Sequence, residues 1–175
     1  MPNIQRTHAA VVACHASRAA LDSLPALPNA YACRVAPDEL WLVAPPELLA
    51  DTERCAAEHF SRTDPTALVL DQSDGWTTFT LRGSEGLWVF AQLSAIPVPS
   101  ERPAFVQGAV AGGGAKVLLL DGAVHVLVPS TLRHHLTARL RDVSGIVFVS
   151  SAETSFLGDE TTLTSPMRLS TPALR

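Results

Sequence analysis

Along the middle of this chain apolar residues alternate with polar ones in short runs, and between those runs they recur at helical spacing. Two such runs, Tyr31 to Ala36 and Leu40 to Ala44, flank Pro37-Asp38-Glu39, and this composition predicts a β-hairpin. Pro45-Pro46 then opens Pro46 to Phe60, where Leu49, Ala56 and Phe60 share a helical stripe. Glu47 and Asp51 near its start suit the positive end of a helix dipole. Thr66 to Leu70 reads as a buried strand, Asp71-Gln72-Ser73-Asp74-Gly75 as a tight turn, and Trp76 to Arg82 as a strand with Thr77, Phe79 and Leu81 on one face.

Gly83-Ser84 is expected to cap a helix whose stripe is Leu87, Phe90 and Ala91. Pro97, Pro99 and Pro103 make Ile96 to Phe105 a surface connection. After Gly112-Gly113-Gly114, the runs Ala115 to Leu120 and Ala123 to Val128 are joined by Asp121-Gly122, a strong hairpin signal. Ser130 is placed as the cap of a helix carrying Leu132, Leu136 and Leu140, and Gly145 to Val149 as a last strand. From Trp76 the order strand, helix, strand, strand, helix, strand is that of a split βαβ, ferredoxin-like core. The expected fold is therefore α+β, with the hairpin, helix and strand before Trp76 added to that core.

Outside this region the pattern fades. The first thirty residues hold no strong period, and Leu24-Pro25-Ala26-Leu27-Pro28-Asn29 punctuates them, which predicts an N-terminal extension over 1–30 and ordered structure from about Tyr31. Ten Ser or Thr residues fall between Ser150 and Arg175, so 150–175 reads as an extended or disordered tail and 31–149 as a single domain. The length of 175 residues agrees with one such domain.

Composition narrows the function. Thirteen Lys and Arg against 17 Asp and Glu leave a net charge of -4, so no positive field draws in nucleic acid or anionic lipid. Charged residues make up 17% of the chain, below the roughly 25% of soluble domains, which leaves surface for a protein partner to cover. Cys14, Cys33 and Cys55 form neither a CxxC pair nor a finger spacing with histidine, and fit reduced thiols in the cytoplasm. The Ala-rich start is interrupted by His15 and Arg18 and does not read as a secretory leader, and no apolar run approaches the 18 to 20 residues of a membrane span.

Each group with catalytic potential also has a plainer use. Gly112-Gly113-Gly114 with Lys116 suggests a phosphate cradle, but Lys116 follows Ala115 and opens a strand, so a flexible strand junction is the better reading. His134-His135 point about 100° apart on a helix and do not share one metal readily. His125 lies opposite the Val124, Val126, Val128 face as a satisfied or interfacial histidine. Asp71 and Asp74 offer acid–base chemistry, or turn capping. Ser73-Asp74 with a distant histidine lacks a G-x-S-x-G elbow. Trp41, Trp76 and Trp88 sit within apolar elements, where core or interface packing is expected ahead of ligand stacking. No catalytic, cofactor-binding or metal-binding residue is assigned.

Three blocks, in order, resemble the gamma subunits of sarcosine oxidase. They are Ala36-Pro37-Asp38-Glu39-Leu40-Trp41-Leu42-Val43; Asp71-Gln72-Ser73-Asp74-Gly75 followed by Thr78, Leu81 and Gly83; and Phe105-Val106-Gln107-Gly108 through Val117-Leu118-Leu119 to Leu127-Val128-Pro129-Ser130. The resemblance covers residues 29 to 149 and implies the T-protein-like, folate-binding fold. It implies a non-catalytic subunit of a heterotetramer that oxidises sarcosine with oxygen and passes the one-carbon unit to tetrahydrofolate, giving glycine, hydrogen peroxide and methylenetetrahydrofolate.

The partners so implied are alpha, beta and delta subunits. FAD, FMN and NAD belong to the two larger ones, tetrahydrofolate to alpha and zinc to delta, with none of them in this chain. Two positions depart from the pattern. Ser73-Asp74 stands where folate-binding relatives have Ser followed by His, and Leu93-Ser94-Ala95 stands in place of a Gly-Cys pair. A related demethylating oxidase acting on another N-methylated amine is compatible with these departures. The alternatives are a compact folate-dependent one-carbon transferase, with Asp71 or Asp74 facing the pterin, and a free-standing protein-binding module.

Overall fold

The computed structural model describes residues 3–145 and 168–169. In chain order its elements begin with β1 (Asn3–Thr7), β2 (Ala10–His15), α1 (Arg18–Ser23), β3 (Tyr31–Ala36) and β4 (Glu39–Ala44). They continue with α2 (Leu49–Thr63), β5 (Leu68–Asp71), β6 (Trp76–Arg82), α3 (Gly83–Leu93) and β7 (Ala104–Val110). The last are β8 (Gly113–Leu120), β9 (Ala123–Pro129), α4 (Arg133–Ser144) and β10 (Arg168–Leu169). Among the described residues, 3–8 and 74–145 form one compact unit, and 9–73 with 168–169 form the other.

The first unit is an antiparallel sheet of order β1-β6-β9-β8-β7. Strand alternation puts Phe79, Leu81, Val117, Leu119, Val124 and Val126 on one face, where Val89 and Phe90 of α3 and Leu136 and Leu140 of α4 complete a core. Each such side chain contributes about 1.5–3 kcal/mol on burial. β6 and β8 run parallel with β9 between them and α3 in the connection, which is the split βαβ arrangement. The other flank of β6 is taken by β1, from the start of the chain. The C-terminal end of α4 is closed by Gly145, at φ 67°, whose N–H donates to the Arg141 carbonyl at 2.8 Å.

In the second unit the sheet order is β10-β3-β4-β2-β5. β2 sits inside it, paired along its whole length with β4 and over Val12–His15 with β5. Val12, Cys14, Leu40 and Leu42 pack beneath Leu21 of α1 and Ala56 and Phe60 of α2. The Ser17 hydroxyl caps α1 by accepting from the Ala20 N–H, while the Ser17 N–H donates to the Asp64 carboxylate at 2.7 Å. That bond and those from Thr66 hold the Asp64 carboxyl down at about 2.

Several expectations change. Residues 1–30 are not an extension: β1, β2 and α1 lie there, and β2 is an inner strand buried from Ala10 to Cys14, whose continuous Ala-Val-Val-Ala-Cys run lacks the alternation that marks a half-exposed strand. β7 begins at Ala104, at the end of the proline-rich connection, and adds a strand to the core plan. β5 is an exposed edge strand rather than a buried one, with Leu68 and Leu70 open to solvent.

The buried stripe of α3 is Gly86, Val89, Phe90 and Leu93, so Leu87 and Ala91 face outwards. No side chain caps α3, and its N-cap residue is Arg82. Ser130 does not cap a helix either, since its hydroxyl donates to the Asp74 carbonyl at 2.8 Å. Of the strand expected at Gly145–Val149, residues 146–149 lie outside the described residues. In the tail the described Arg168–Leu169 pair in parallel with Ala32–Cys33 of β3.

Candidate functional site

The residues singled out for chemistry are dispersed through both units. At the Asp71–Gly75 turn the Asp71 carboxylate accepts from the Ser73 N–H at 2.8 Å and from the Ser73 hydroxyl at 2.6 Å. The same hydroxyl accepts from the Val11 N–H at 3.0 Å, and Gln72 N–H donates to the Val11 carbonyl at 2.8 Å. Ser73 therefore spends its proton and a lone pair on extending the β2–β5 ladder, and Asp71 acts as a turn cap. The two compact units meet along the chain between Ser73 and Asp74, inside this block. The Asp74 carbonyl is held by Ser130, whose oxygen in turn lies 3.4 Å from the Thr77 hydroxyl.

Three histidines stand on β9 and α4. His125, 1% exposed on β9, bonds through Nδ1 to the Thr80 hydroxyl at 2.9 Å, and Thr80 bonds to Thr7 at 2.9 Å. Burial, with the nearby Arg82 charge, pushes its pKa down to about 3, so it is neutral and too weak a base for work near pH 7. His135 lies with Nε2 2.8 Å from the Ala111 carbonyl, and His134 lies beside Arg133 on the exposed side of α4. These neighbours on the helix do not converge.

Sequence reading did not single out His59, whose Nε2 is 3.1 Å from the Ser23 hydroxyl and 3.2 Å from the Ala20 carbonyl. This is a serine–histidine contact without nucleophilic character: Ser23 donates its proton to Ala20 at 2.8 Å, and a carbonyl at the same Nε2 requires N–H there. The two residues are 36 apart in sequence, and no motif announces the contact.

The glycine segment is a hairpin turn rather than a flexible junction or a cradle. Ala111 and Gly112 have φ of 52° and 82°, the signs of a two-residue type I′ turn, while Gly113 and Gly114 belong to β8 opposite Val110 and Ala109. The Lys116 Nζ donates to Gln107 at 2.9 Å and lies 5.5 Å from the centre of the Trp76 ring. Trp41 is buried and its indole N–H donates to Glu39 at 2.6 Å. Trp88 is 56% exposed, so of the core or interface packing expected for it the core alternative is excluded. Cys14 is buried, which pushes its thiol up to about 12 and makes it unreactive.

A groove of about 210 Å³ opens at the start of α3, with Ser84, Leu87, Arg102, Leu120 and Asp121 in its wall. It is smaller than the roughly 300–1,000 Å³ of ordinary ligand sites. A pterin is best held by a carboxylate taking two parallel N–H groups. Asp71 is committed to Ser73, and the groove's carboxylate, Asp121, belongs to the β8–β9 turn. Of the described residues, Asp71 is thus spent on its turn. Among them no three His, Cys, Asp or Glu side chains gather as metal ligands, and no helix is long and apolar enough to cross a membrane.

No protein-family model matches the sequence, and no curated protein sequence matches it. Solved structures do. The chain is similar to one in the heterotetrameric sarcosine oxidase from Corynebacterium sp. U-96 in complex with pyrrole 2-carboxylate, with a TM-score of 0.65 and 17% identity, covering 87% of each chain. It is also similar to the glycine cleavage system aminomethyltransferase T from Bartonella henselae, with a TM-score of 0.57 and 13% identity over 83% of this chain, spanning 47% of that one.

The relationship is one of fold. It supports an α+β architecture of antiparallel sheets and helices like that of the T-protein-like proteins, as the three sequence blocks imply.

Proposed function

We propose that the chain is the gamma-type, non-catalytic subunit of a heterotetrameric, flavin-dependent oxidase that demethylates sarcosine. In this reading it supports assembly and helps enclose the internal cavity, where sarcosine gives glycine and its methyl carbon passes to tetrahydrofolate. FAD, FMN, NAD, tetrahydrofolate and zinc reside in the alpha, beta and delta partners.

One observation carries the proposal. The likeness to a chain of a heterotetrameric sarcosine oxidase extends over 87% of both chains, which supports reading this chain as the counterpart of a subunit in such an assembly. The aminomethyltransferase, by contrast, is matched over less than half its length. The side chains with chemical potential support the same reading, because Asp71, Ser73, His125, His135 and Lys116 each serve a turn, a strand pair or a sheet face.

The test is to express the tagged chain from its native genomic context, purify it and record the absorption spectrum. A yellow complex with two large subunits that forms hydrogen peroxide on adding sarcosine is expected. A colourless chain that binds tetrahydrofolate by calorimetry would overturn the proposal in favour of a one-carbon transferase. Capture dominated by proteins without flavin would favour a free-standing binding module.

A further inference from the structure

The groove at the start of α3 lies wholly within the first unit and carries one charge of each sign. Leu87, Leu120 and the buried Val124 supply the apolar part of its lining, Arg102 a guanidinium and Asp121 a carboxylate. Both charges are held in place. The Arg102 Nη1 donates to the Pro99 carbonyl and, at 3.0 Å, to the Glu101 carbonyl. Asp121 belongs to a two-residue turn closed by the Leu120–Ala123 pair, and the carbonyl of Gly122 beside it accepts from the Gly83 N–H at 2.8 Å, which ties the turn to α3. The two charges are nevertheless not joined. Among the described residues no ion pair or hydrogen bond links Arg102 with Asp121, Arg102 donates through Nη1 alone, and the Asp121 carboxylate has no partner.

From these unjoined opposite charges beside an apolar wall we infer that the groove binds a small zwitterionic amino acid, its carboxylate on Arg102, its ammonium on Asp121 and its carbon chain against Leu87, Leu120 and Val124. The inference goes beyond the oxidase-subunit reading and does not need it, since every residue involved is in this chain. The chemistry selects against other ligands. A simple anion meets Asp121 as a like charge, and a simple cation meets Arg102 as one. A neutral apolar molecule strips water from both charges and pairs neither. A zwitterion receives a hydrogen-bonded counter-charge from each. Size points the same way: about 210 Å³ holds about seven water-sized groups of roughly 30 Å³, which admits alanine or N-methylglycine and excludes a pterin or a nucleotide. Because the guanidinium and the turn are already fixed, binding has little of the protein left to order.

The full chain is titrated by calorimetry with alanine and with N-methylglycine, beside acetate and methylammonium, which each carry half of the charge pattern. The wild type is expected to bind at least one of the two zwitterions saturably, with a Kd on the order of 1 mM, and either half roughly tenfold more weakly or worse. Arg102→Gln and Asp121→Asn should each weaken zwitterion binding by roughly tenfold or more, while circular dichroism and melting temperature stay at wild-type values. No saturable binding of either zwitterion, or binding unchanged in both variants, would overturn the site. Acetate bound as tightly as alanine would overturn it as well, by making the groove a simple anion site. Were a variant to misfold, the wild-type comparison of the zwitterions with their halves still decides. Copurification with flavin-bearing subunits, which tests the oxidase reading, enters none of these outcomes.

Discussion

At Gly86 a Cβ would lie 2.7 Å from the backbone carbonyl carbon of Leu81, because α3 comes down directly on the end of β6. Alanine is ordinarily the better helix former by about 1 kcal/mol, and here the collision with backbone reverses the sign. Gly86→Ala is expected to destabilise the protein by about 1–3 kcal/mol, measured by urea unfolding.

His125 gives a second residue-scale expectation, with a defined pH window. Its folded pKa of about 3 lies below the ordinary 6.5, so the unfolded chain takes the proton first. Its contribution to stability is complete above pH 6.5 and is lost as pH falls towards 3, at about 1.4 kcal/mol per unit. His125→Gln, which keeps a polar group for Thr80 without titrating, should flatten the fall in urea midpoint between pH 6.5 and 4. An unchanged slope would show that other groups set the acid limit. Asp64 acts lower, since its carboxyl is held at about 2 and its contribution is lost only as pH falls from 3.8.

The β7–β8 hairpin extends this argument to elements. Its turn places Ala111 in the left-handed region, tied by the 2.7 Å bond from its N–H to the Leu93 carbonyl and by His135 at its own carbonyl. Asparagine tolerates that conformation and forms the favoured Asn-Gly pair, so Ala111→Asn is expected to gain about 0.5–1 kcal/mol. Gly112, at φ 82° and with nothing near its Cβ position, would be strained by any side chain in that left-handed conformation, and Gly112→Ala should cost about 1–2 kcal/mol. Thermal melts of the two variants, moving in opposite directions, check both.

The sequence betrays elements of this kind when alternation and turn chemistry agree. The β8–β9 hairpin around Asp121-Gly122 and the β3–β4 hairpin around Pro37-Asp38 are legible for that reason. β2 is not, because a strand buried on both faces has no period to read, and β7 is hidden by the prolines before it. The edge position of β5 follows from long-range pairing with β2, which no local pattern records. The contact of His59 with Ser23 and the outward turn of Trp88 likewise depend on how α1 and α3 pack, and no spacing in the chain encodes them.

At the scale of the molecule, neither compact unit is a continuous stretch of chain. The unit built on β6 to α4 recruits β1 from the N-terminus, and the other runs unbroken over 9–73 and adds β10 from beyond α4. Removing residues 1–8 deletes only an edge strand, with Ile4 from the core and the Thr7–Thr80 bond. Removing residues 1–30 deletes also the inner strand β2, separating β4 from β5, and takes Val12, Cys14, Ala20, Leu21 and Leu24, five of the nine buried members of that core. Trp41, buried in the same unit, reports its packing.

The shorter deletion should therefore keep a cooperative urea transition at a lowered midpoint and retain the near-ultraviolet circular dichroism of a packed Trp41. The longer one should lose that signal and the transition of this unit, since the remaining strands cannot close the gap left by a central neighbour. Native-like dichroism in the 31–175 chain would show that 1–30 is dispensable and that β2 contributes pairing without being needed for the fold.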